Sequence, residues 1–511
     1  MAGIGFVLRE LDRRDTISGT LSAAGHGMIV AAGPWLFTVV SLVLIHRGTS
    51  AVLTSQASYN FRSYVMYAFA VSLLATAPFV NVSVRLAADD IYRRTYDGIR
   101  ARLVAALCGS VLASAVISLA VYGLLFGIGG FDLLIAVGTT AVVAMIWPVL
   151  AFCGAVRDYR GITAGFAIGM LVSVLGTIWI ARRGYGEGAM IGMFLLGLSI
   201  VFFALASRVF ITFPVQSRPF GEYLMGLAGG FVRHWMLALG SLGAIGAIWA
   251  DKWIMWFGPD ALTLSNGLVS APPYDSAMFL AYLLMIPALG LFVTAIETSF
   301  FEHARRFLDA IEDKAPLVRL ERYAGDLEVQ TYRIIYRVLL TLGPVCLVCM
   351  LLSPVIVPIV GLQYQQLGIL RLGILAVFFQ FMFVAASSIV LFLDRQLRFL
   401  ALQLVFLSAQ VGFTIMTIYL GREYFGYGHL LACALSAFLA MVVLERTLSK
   451  VVFLTFASAL RRPPDRSVAT AVRAKASAPR VEIWEETPPL MPIPQSGPLL
   501  RPRPKIGGMK P

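Results

Sequence analysis

Twelve apolar runs, each close to twenty residues long, constrain this chain more than anything else in it. They fall at approximately 18–45, 64–86, 103–126, 132–153, 161–181, 189–207, 235–256, 276–298, 335–357, 371–393, 399–420 and 427–444. A bilayer's hydrocarbon core is ~30 Å thick, and a helix rising ~1.5 Å per residue needs ~20 residues to cross it. Backbone polar groups inside hydrocarbon must be satisfied within the segment, so runs of this length read as helices. Composition agrees. Hydrophobic residues make up 59% of the 511 and charged residues 14%, against ~45–50% and ~25% in soluble domains. The expected fold class is an all-α polytopic membrane protein with about twelve transmembrane helices.

Charge placement gives an orientation. With the N-terminus inside, the inside segments hold 33 Lys and Arg and the outside loops hold 5, namely Arg47, Arg62, Arg182, Arg183 and Arg422. The bias survives removal of the basic tail, at 21 against 5. Positive charge marks the cytoplasmic side, so both termini are expected in the cytoplasm. The net charge of +13 is spread over loops between spans. It reads as topology and lipid contact, and nucleic acid is not an expected partner.

The expected organisation has five parts. Residues 1–15 form an interfacial amphipathic helix, with Ile4, Val7, Leu8 and Leu11 on one face. Residues 16–207 form a first six-helix bundle, and 208–234 a cytoplasmic connection. Residues 235–455 form a second six-helix bundle that carries a charged cytoplasmic segment at 301–333. Residues 456–511 form a Pro-rich basic tail without apolar periodicity, expected to be disordered. The segment 301–333 is dense in both signs, including Arg305, Arg306, Glu312, Asp313, Arg319 and Arg322, and is expected to be helix broken at Pro316. It reads either as a solvated loop or as a docking surface for a cytosolic partner. No cleavable signal peptide is read, because the N-terminus is partly acidic and the first apolar run is too long.

The seventh run, from Arg233 to Phe257, carries two charges near its end, Asp251 and Lys252. Each would cost roughly 2.5–3.5 kcal/mol near a helix centre, so each must face protein or water. At helical spacing Trp249, Lys252, Trp253 and Trp256 share one face, and Asp251 points nearly opposite. Adjacent helical residues do not face each other, so separate partners are expected for Asp251 and Lys252. This face reads as an aromatic and cationic wall of a substrate pathway, or else as an interfacial tryptophan belt with snorkelling charges. Glu297, near the cytoplasmic end of its run, reads as a snorkelling carboxylate or a pathway group. His26 reads as a hydrogen-bonded core histidine or a titrating pathway group.

Helix breakers lie inside four runs: Gly33 and Pro34, Pro78, Pro148 and Pro287. Each proline removes a backbone bond and bends its helix. The bends fit helices curved around a cavity, or static kinks for packing. Chemistry is not expected. There is no Walker A pattern, and no Ser/His/Asp arrangement is identifiable. Asp89 and Asp90 sit with Arg93 and Arg94 as a solvated charge cluster. Cys346 and Cys349 form CxxC inside an apolar run and read as small buried hydrophobes. No metal, cofactor or enzyme activity is expected.

The opening MAGIGFVLREL and the AAGPWLF at 31–37 resemble the Pel exopolysaccharide transporter family, PelG-type members of the MOP flippase superfamily. Three later stretches look like the same family: WADKWIMWF at 249–257, QQLGILRLGILAVFF at 365–379 and FLDRQ at 392–396. The resemblance covers nearly all of 1–455. The family usually has Ser before Gly-Pro-Trp, where this chain has Ala32, so a hydroxyl is missing there.

The resemblance implies two six-helix bundles around a central cavity. It also implies export of an amino-sugar polymer of cationic character across a bacterial inner membrane, alongside a cytosolic glycosyltransferase and a cyclic-di-GMP-sensing membrane partner. On that reading Trp249, Trp253 and Trp256, with Trp35, offer flat surfaces to sugar rings. Asp251 and Glu297 attract amino groups, and Lys252 pairs with a carboxylate or with acidic units. Two other readings compete. One is a lipid-linked oligosaccharide flippase or cation-coupled exporter of the same superfamily. The other is a membrane scaffold for a polysaccharide synthase that transports nothing.

Overall fold

The structure is a computed structural model that describes residues 36–93, 95–156, 159–216 and 218–461. The expected helix at 1–15, together with His26, Gly33, Pro34 and Trp35, lies outside the described residues. So does the tail beyond Arg461.

Helix follows helix. The first half runs α1 (Leu36–Thr49), α2 (Ser55–Tyr92), α3 (Ile99–Ser118, continued by a π-helical stretch to Leu125), α4 (Gly130–Val156), α5 (Tyr159–Arg182) and α6 (Glu187–Thr212). A short α7 (Phe220–Arg233) leads into α8 (Trp235–Met255). A two-stranded antiparallel hairpin follows, β1 (Leu262–Thr263) and β2 (Val269–Ser270). The second half continues with α9 (Pro272–Tyr282), α10 (Met285–Ala295), a π-helical turn at Ile296–Phe300, α11 (Phe301–Glu312) and α12 (Leu317–Val360). Then come α13 (Leu367–Phe392), α14 (Gln396–Leu420), α15 (Tyr427–Leu448) and α16 (Val451–Arg461).

Among the described residues ten helices are long and apolar enough to cross a membrane. The α7–α8 pair adds an eleventh, bent by 79° at His234. The count of twelve is therefore approximate, since the first run is described only from Leu36. The molecule is an all-α polytopic membrane protein. Helices α2 to α6 pack among themselves, as do α8 to α15, and α2 lies along α8 between the two sets.

Small residues set the closest approaches. A Cβ on Gly197 of α6 would overlap the Gly169 carbonyl oxygen and Ser173 Oγ of α5. Lipid is as apolar as a leucine, so membrane helices associate through such close backbone contact. In the second half Phe383 and Phe406, both fully buried, meet at 4.7 Å between α13 and α14.

Three features depart from the expected layout. First, the connection at 208–234 is mostly helix. It contains the end of α6 and all of α7, whose Tyr223, Leu227 and Gly230 are buried while Leu224, Met225 and Val232 are exposed. That pattern suits a helix lying in a membrane interface.

Second, α12 is one continuous 44-residue helix. At ~1.5 Å per residue it spans about 66 Å, twice the hydrocarbon, so its charged first turns project beyond the membrane. Pro316 stands at its N-cap, where proline costs no intrahelical bond. The charged segment is thus two helices, α11 and the start of α12, packed through Phe307 and Ala324.

Third, Asp89 and Asp90 are paired rather than merely solvated. Asp90 is ion-paired with Arg102 of α3. Arg85 lies 3.6 Å from Asp89 and 3.6 Å from Asp394, so it ties the end of α2 to the α13–α14 loop.

Pro78 and Pro148 sit inside α2 and α4. Pro287 lies in the first turn of α10, just after the break that separates α9 from α10.

Candidate functional site

Helix α8 brings its charges to a buried polar cluster. Asp251 is fully buried, and a buried carboxylate persists only when paired and hydrogen-bonded. Lys252 Nζ lies 3.0 Å from both Asp251 Oδ1 and Oδ2. This corrects the expectation of separate partners. Adjacent Cβ atoms do diverge by ~100° on a helix, but the flexible four-carbon lysine stem folds back across that angle. The same ammonium donates to the Ile248 carbonyl one turn earlier, at 3.2 Å. It also reaches Tyr282 Oη at 3.4 Å and sits 4.6 Å from the centre of the Tyr282 ring.

Other helices complete the cluster. Tyr274 of α9 donates its hydroxyl to Asp251 Oδ2 at 3.0 Å. His429 of α15, also buried, places Nδ1 3.9 Å from Asp251 Oδ2. Its Nε2 lies 3.4 Å from Tyr282 Oη, and its Nδ1 lies 2.9 Å from the side-chain amide of Gln410 in α14. A neutral imidazole carries one N–H. It can therefore accept from the Gln410 Nε2 amide at Nδ1 and donate from Nε2 to Tyr282 Oη. The result is a continuous chain of polar contacts from Asp251 through Lys252 and Tyr282 to His429 and Gln410.

The tryptophans divide into two groups. Trp249 and Trp253 are half-buried and stacked, with centroids 6.4 Å apart and planes at 18°. Trp256 is buried, at 2% exposure. Its indole N–H donates to Asp275 Oδ1 and Oδ2 at 3.1 and 2.9 Å, and its ring stacks on Tyr67 of α2 at 4.4 Å. Asp275 also accepts from the Ala271 N–H at 3.2 Å. Trp256 thus closes the gap between the two sets of helices while meeting Trp249 of the aromatic face edge-on at 6.5 Å. Trp249, Lys252 and Trp253 remain on that face.

Glu297 sits elsewhere, on the π-helical turn between α10 and α11, with Oε2 buried and without a hydrogen bond. The residue as a whole is partly exposed. Arg305, Arg306, Glu312, Asp313, Arg319 and Arg322 lie on α11, on the start of α12 or between them, far along the chain from α8. Most of these side chains are exposed.

Sequence reasoning missed Tyr274, Asp275, Tyr282, Gln410 and His429. Asp275 and Tyr274 fell in a stretch read as loop. His429 was the available signal, being a lone histidine at the start of an apolar run.

The PelG family model, described as "Putative exopolysaccharide Exporter (EPS-E)", matches residues 1–456. No curated protein sequence matches the chain. Among solved structures the chain is similar to a MATE protein in the straight conformation, at 15% identity and TM-score 0.61, over 88% of this chain and 99% of that one. It is also similar to an outward-facing multidrug resistance MATE family transporter of the MOP superfamily, at 15% identity and TM-score 0.59, over 83% and 96% of the two chains. A MOP superfamily transporter from Pyrococcus furiosus is similar at 16% identity and TM-score 0.59, over 83% and 96%. At such identity the likeness is one of fold, since one fold hosts many functions.

Proposed function

This chain belongs to the PelG family of putative exopolysaccharide exporters, and on that premise we propose that it moves an amino-sugar, Pel-like polymer from cytoplasm to periplasm. The membrane is the bacterial inner membrane, and both termini are cytoplasmic. The observation that carries this reading is the stacked pair Trp249–Trp253 beside the Lys252–Asp251 ion pair. Flat indole faces suit the apolar faces of sugar rings, and fixed buried charges hold the wall in one geometry. Two six-helix bundles, 16–207 and 235–455, would supply the two sides of the route.

The exposed charges of α11 and the start of α12 support a second element of this reading, a docking surface for a cytosolic glycosyltransferase. Arg305 and Arg306 have side chains 69% and 57% exposed, and their nearest acids lie one turn away on the same helix. Such surface pairs hold little energy, so they can exchange partners at low cost. A cyclic-di-GMP-sensing membrane partner would complete the assembly.

The test is polymer secretion from cells whose own copy is replaced by Trp253→Ala, with membrane abundance measured in parallel. Reduced secretion at equal abundance supports a pathway wall. Unchanged secretion removes it.

A further inference from the structure

A second polar site lies at the starts of α2, α4 and α6, beside the hairpin. A cavity of about 170 Å³ is lined by Asn60 and Tyr64 of α2, Asp132 of α4, Glu187 of α6, and Ser265 and Asn266 of the hairpin turn. The charge count puts the loops leading into α2, α4 and α6, and the hairpin itself, on the outer side. The fold brings all four to one place.

The lining is chemically one-sided. It holds two carboxylates and no Lys, Arg or His. No hydrogen bond or ion pair engages Asp132 among the described residues. Glu187 Oε1 accepts from Asn60 Nδ2 at 3.0 Å, and the same amide donates to Ser265 Oγ at 2.7 Å. Asn60 is 2% exposed, so a buried amide holds the carboxylate and the hydroxyl in fixed positions across the seam.

Acids in a first helical turn are common, because they complement the helix dipole. That accounts for the type of residue at 132 and 187, but not for Tyr64. Tyr64 is 6% exposed. It lines the cavity with both carboxylates, and among the described residues no hydrogen bond engages its hydroxyl. Its ring is packed away while its hydroxyl is left open to the cavity, so a ligand group there meets a ready partner.

We propose that this cavity is a binding subsite for one ammonium-bearing sugar unit, at the outer end of the transport route. The proposal rests on the export reading above and assigns a second contact point to it. The volume corresponds to about five or six waters at ~30 Å³ each, which suits a single ring rather than a length of polymer. Asp132 and Glu187 take the ammonium. The Tyr64 and Ser265 hydroxyls and the Asn266 amide address ring hydroxyls. A hard metal ion is a poorer fit, because it needs about six to eight oxygens at ~2.3–2.6 Å. The carboxylates here stand on separate helices, and no group of three or more metal-ligating side chains occurs among the described residues.

The experiment uses the full chain in lipid nanodiscs. A β-linked glucosamine tetramer and its fully N-acetylated counterpart are titrated calorimetrically. The amine form is expected to bind at least tenfold tighter. The double variant Asp132→Asn/Glu187→Gln is expected to lose that preference. If the double variant misfolds, Asp132→Asn alone serves, since Asp132 is exposed. Equal affinity for the two tetramers overturns the proposal, as does a preference that survives loss of the carboxylates. Heat with calcium alone and none with the amine tetramer makes this a divalent-cation site and also overturns it. Any of these results leaves the Trp253→Ala secretion test standing, so the two readings fail separately.

Discussion

Tyr67 stacks on Trp256 at 4.4 Å and donates its own hydroxyl to the Val269 carbonyl at 2.7 Å. One side chain of α2 thereby holds both the end of α8 and the hairpin that follows it. Trp256 in turn donates to Asp275. The contact is structural, and it changes what a substitution at 256 does. Viewed as a belt residue, Trp256→Phe would be mild. In the fold it removes the donor from a charge-assisted hydrogen bond, worth about 1.5–3 kcal/mol. Trp256→Phe should therefore lower the thermal midpoint of the purified protein measurably. Tyr67→Phe, which loses one neutral bond, should cost about 0.5–1.5 kcal/mol. An unchanged midpoint in Trp256→Phe would show that Asp275 finds its partners elsewhere.

The Asp251–Lys252 pair leads to a second prediction. Removing one member of a buried ion pair leaves the other uncompensated, at about 3–5 kcal/mol. Asp251→Asn should thus destabilise the protein, although it nearly conserves shape. The double variant Asp251→Asn/Lys252→Met should recover much of the loss, because neither charge is then stranded. Thermal unfolding of the single and double variants in one detergent decides this. A double variant no better than the single one would contradict the pairing. This cycle also separates stability from transport, since secretion can be compared at matched abundance.

The fold was readable from the sequence where the bilayer dictates it. A run such as 161–181 must be helix because hydrocarbon leaves its backbone no other partner, and α5 covers it. Outside hydrocarbon that constraint ends. Nothing in periodicity alone told a loop at 208–234 from the helix α7, whereas Pro316 did mark the break ahead of α12. The site was legible in part. Trp249, Asp251 and Lys252 stood out as polar or aromatic residues in an apolar run. Their pairing did not, because a helical projection locates Cβ atoms and says nothing of how far a lysine stem can reach. Tyr274 and Asp275 come from another helix, and such tertiary neighbours leave no local signal.

Topology gives a third prediction. Cysteines placed at 127–131 or 258–275 should react with a membrane-impermeant maleimide from the periplasm. One in α7 should react only after permeabilisation. Five native cysteines are free, and Cys108 is exposed, so a background with the natives replaced is needed. Labelling of both outer loops from the cytoplasmic side alone would reverse the orientation inferred from Lys and Arg.

The docking surface gives a fourth. Reversing the charges of Arg305, Arg306, Arg319 and Arg322 leaves the packed Phe307–Ala324 contact untouched. Insertion and thermal stability should hold to within about 0.5 kcal/mol, as for most surface substitutions. Co-purification with the cytosolic glycosyltransferase should fall several-fold at low salt, and the difference should shrink at raised salt, where surface charge is screened. Full recovery of the complex would make this segment a solvated surface.

The aromatic face gives the last. Trp249 and Trp253 stack on each other, so each has one ring face engaged and its remaining surface only half-buried. If sugar rings pass over that surface, a ring is what matters. Trp253→Phe should then keep most of the secretion, while Trp253→Ala loses it. A stacking contact of ~0.5–1.5 kcal/mol corresponds to about two- to tenfold less export. A membrane belt predicts a different pattern, in which both variants secrete normally and Ala changes only insertion or abundance. Trp249→Ala serves as the internal comparison, because it removes the partner ring without removing Trp253 itself. Its effect should be smaller than that of Trp253→Ala if Trp253 meets the polymer, and equal if the pair acts only as packing. Secretion per unit of membrane-resident protein, measured across these three variants, distinguishes the two.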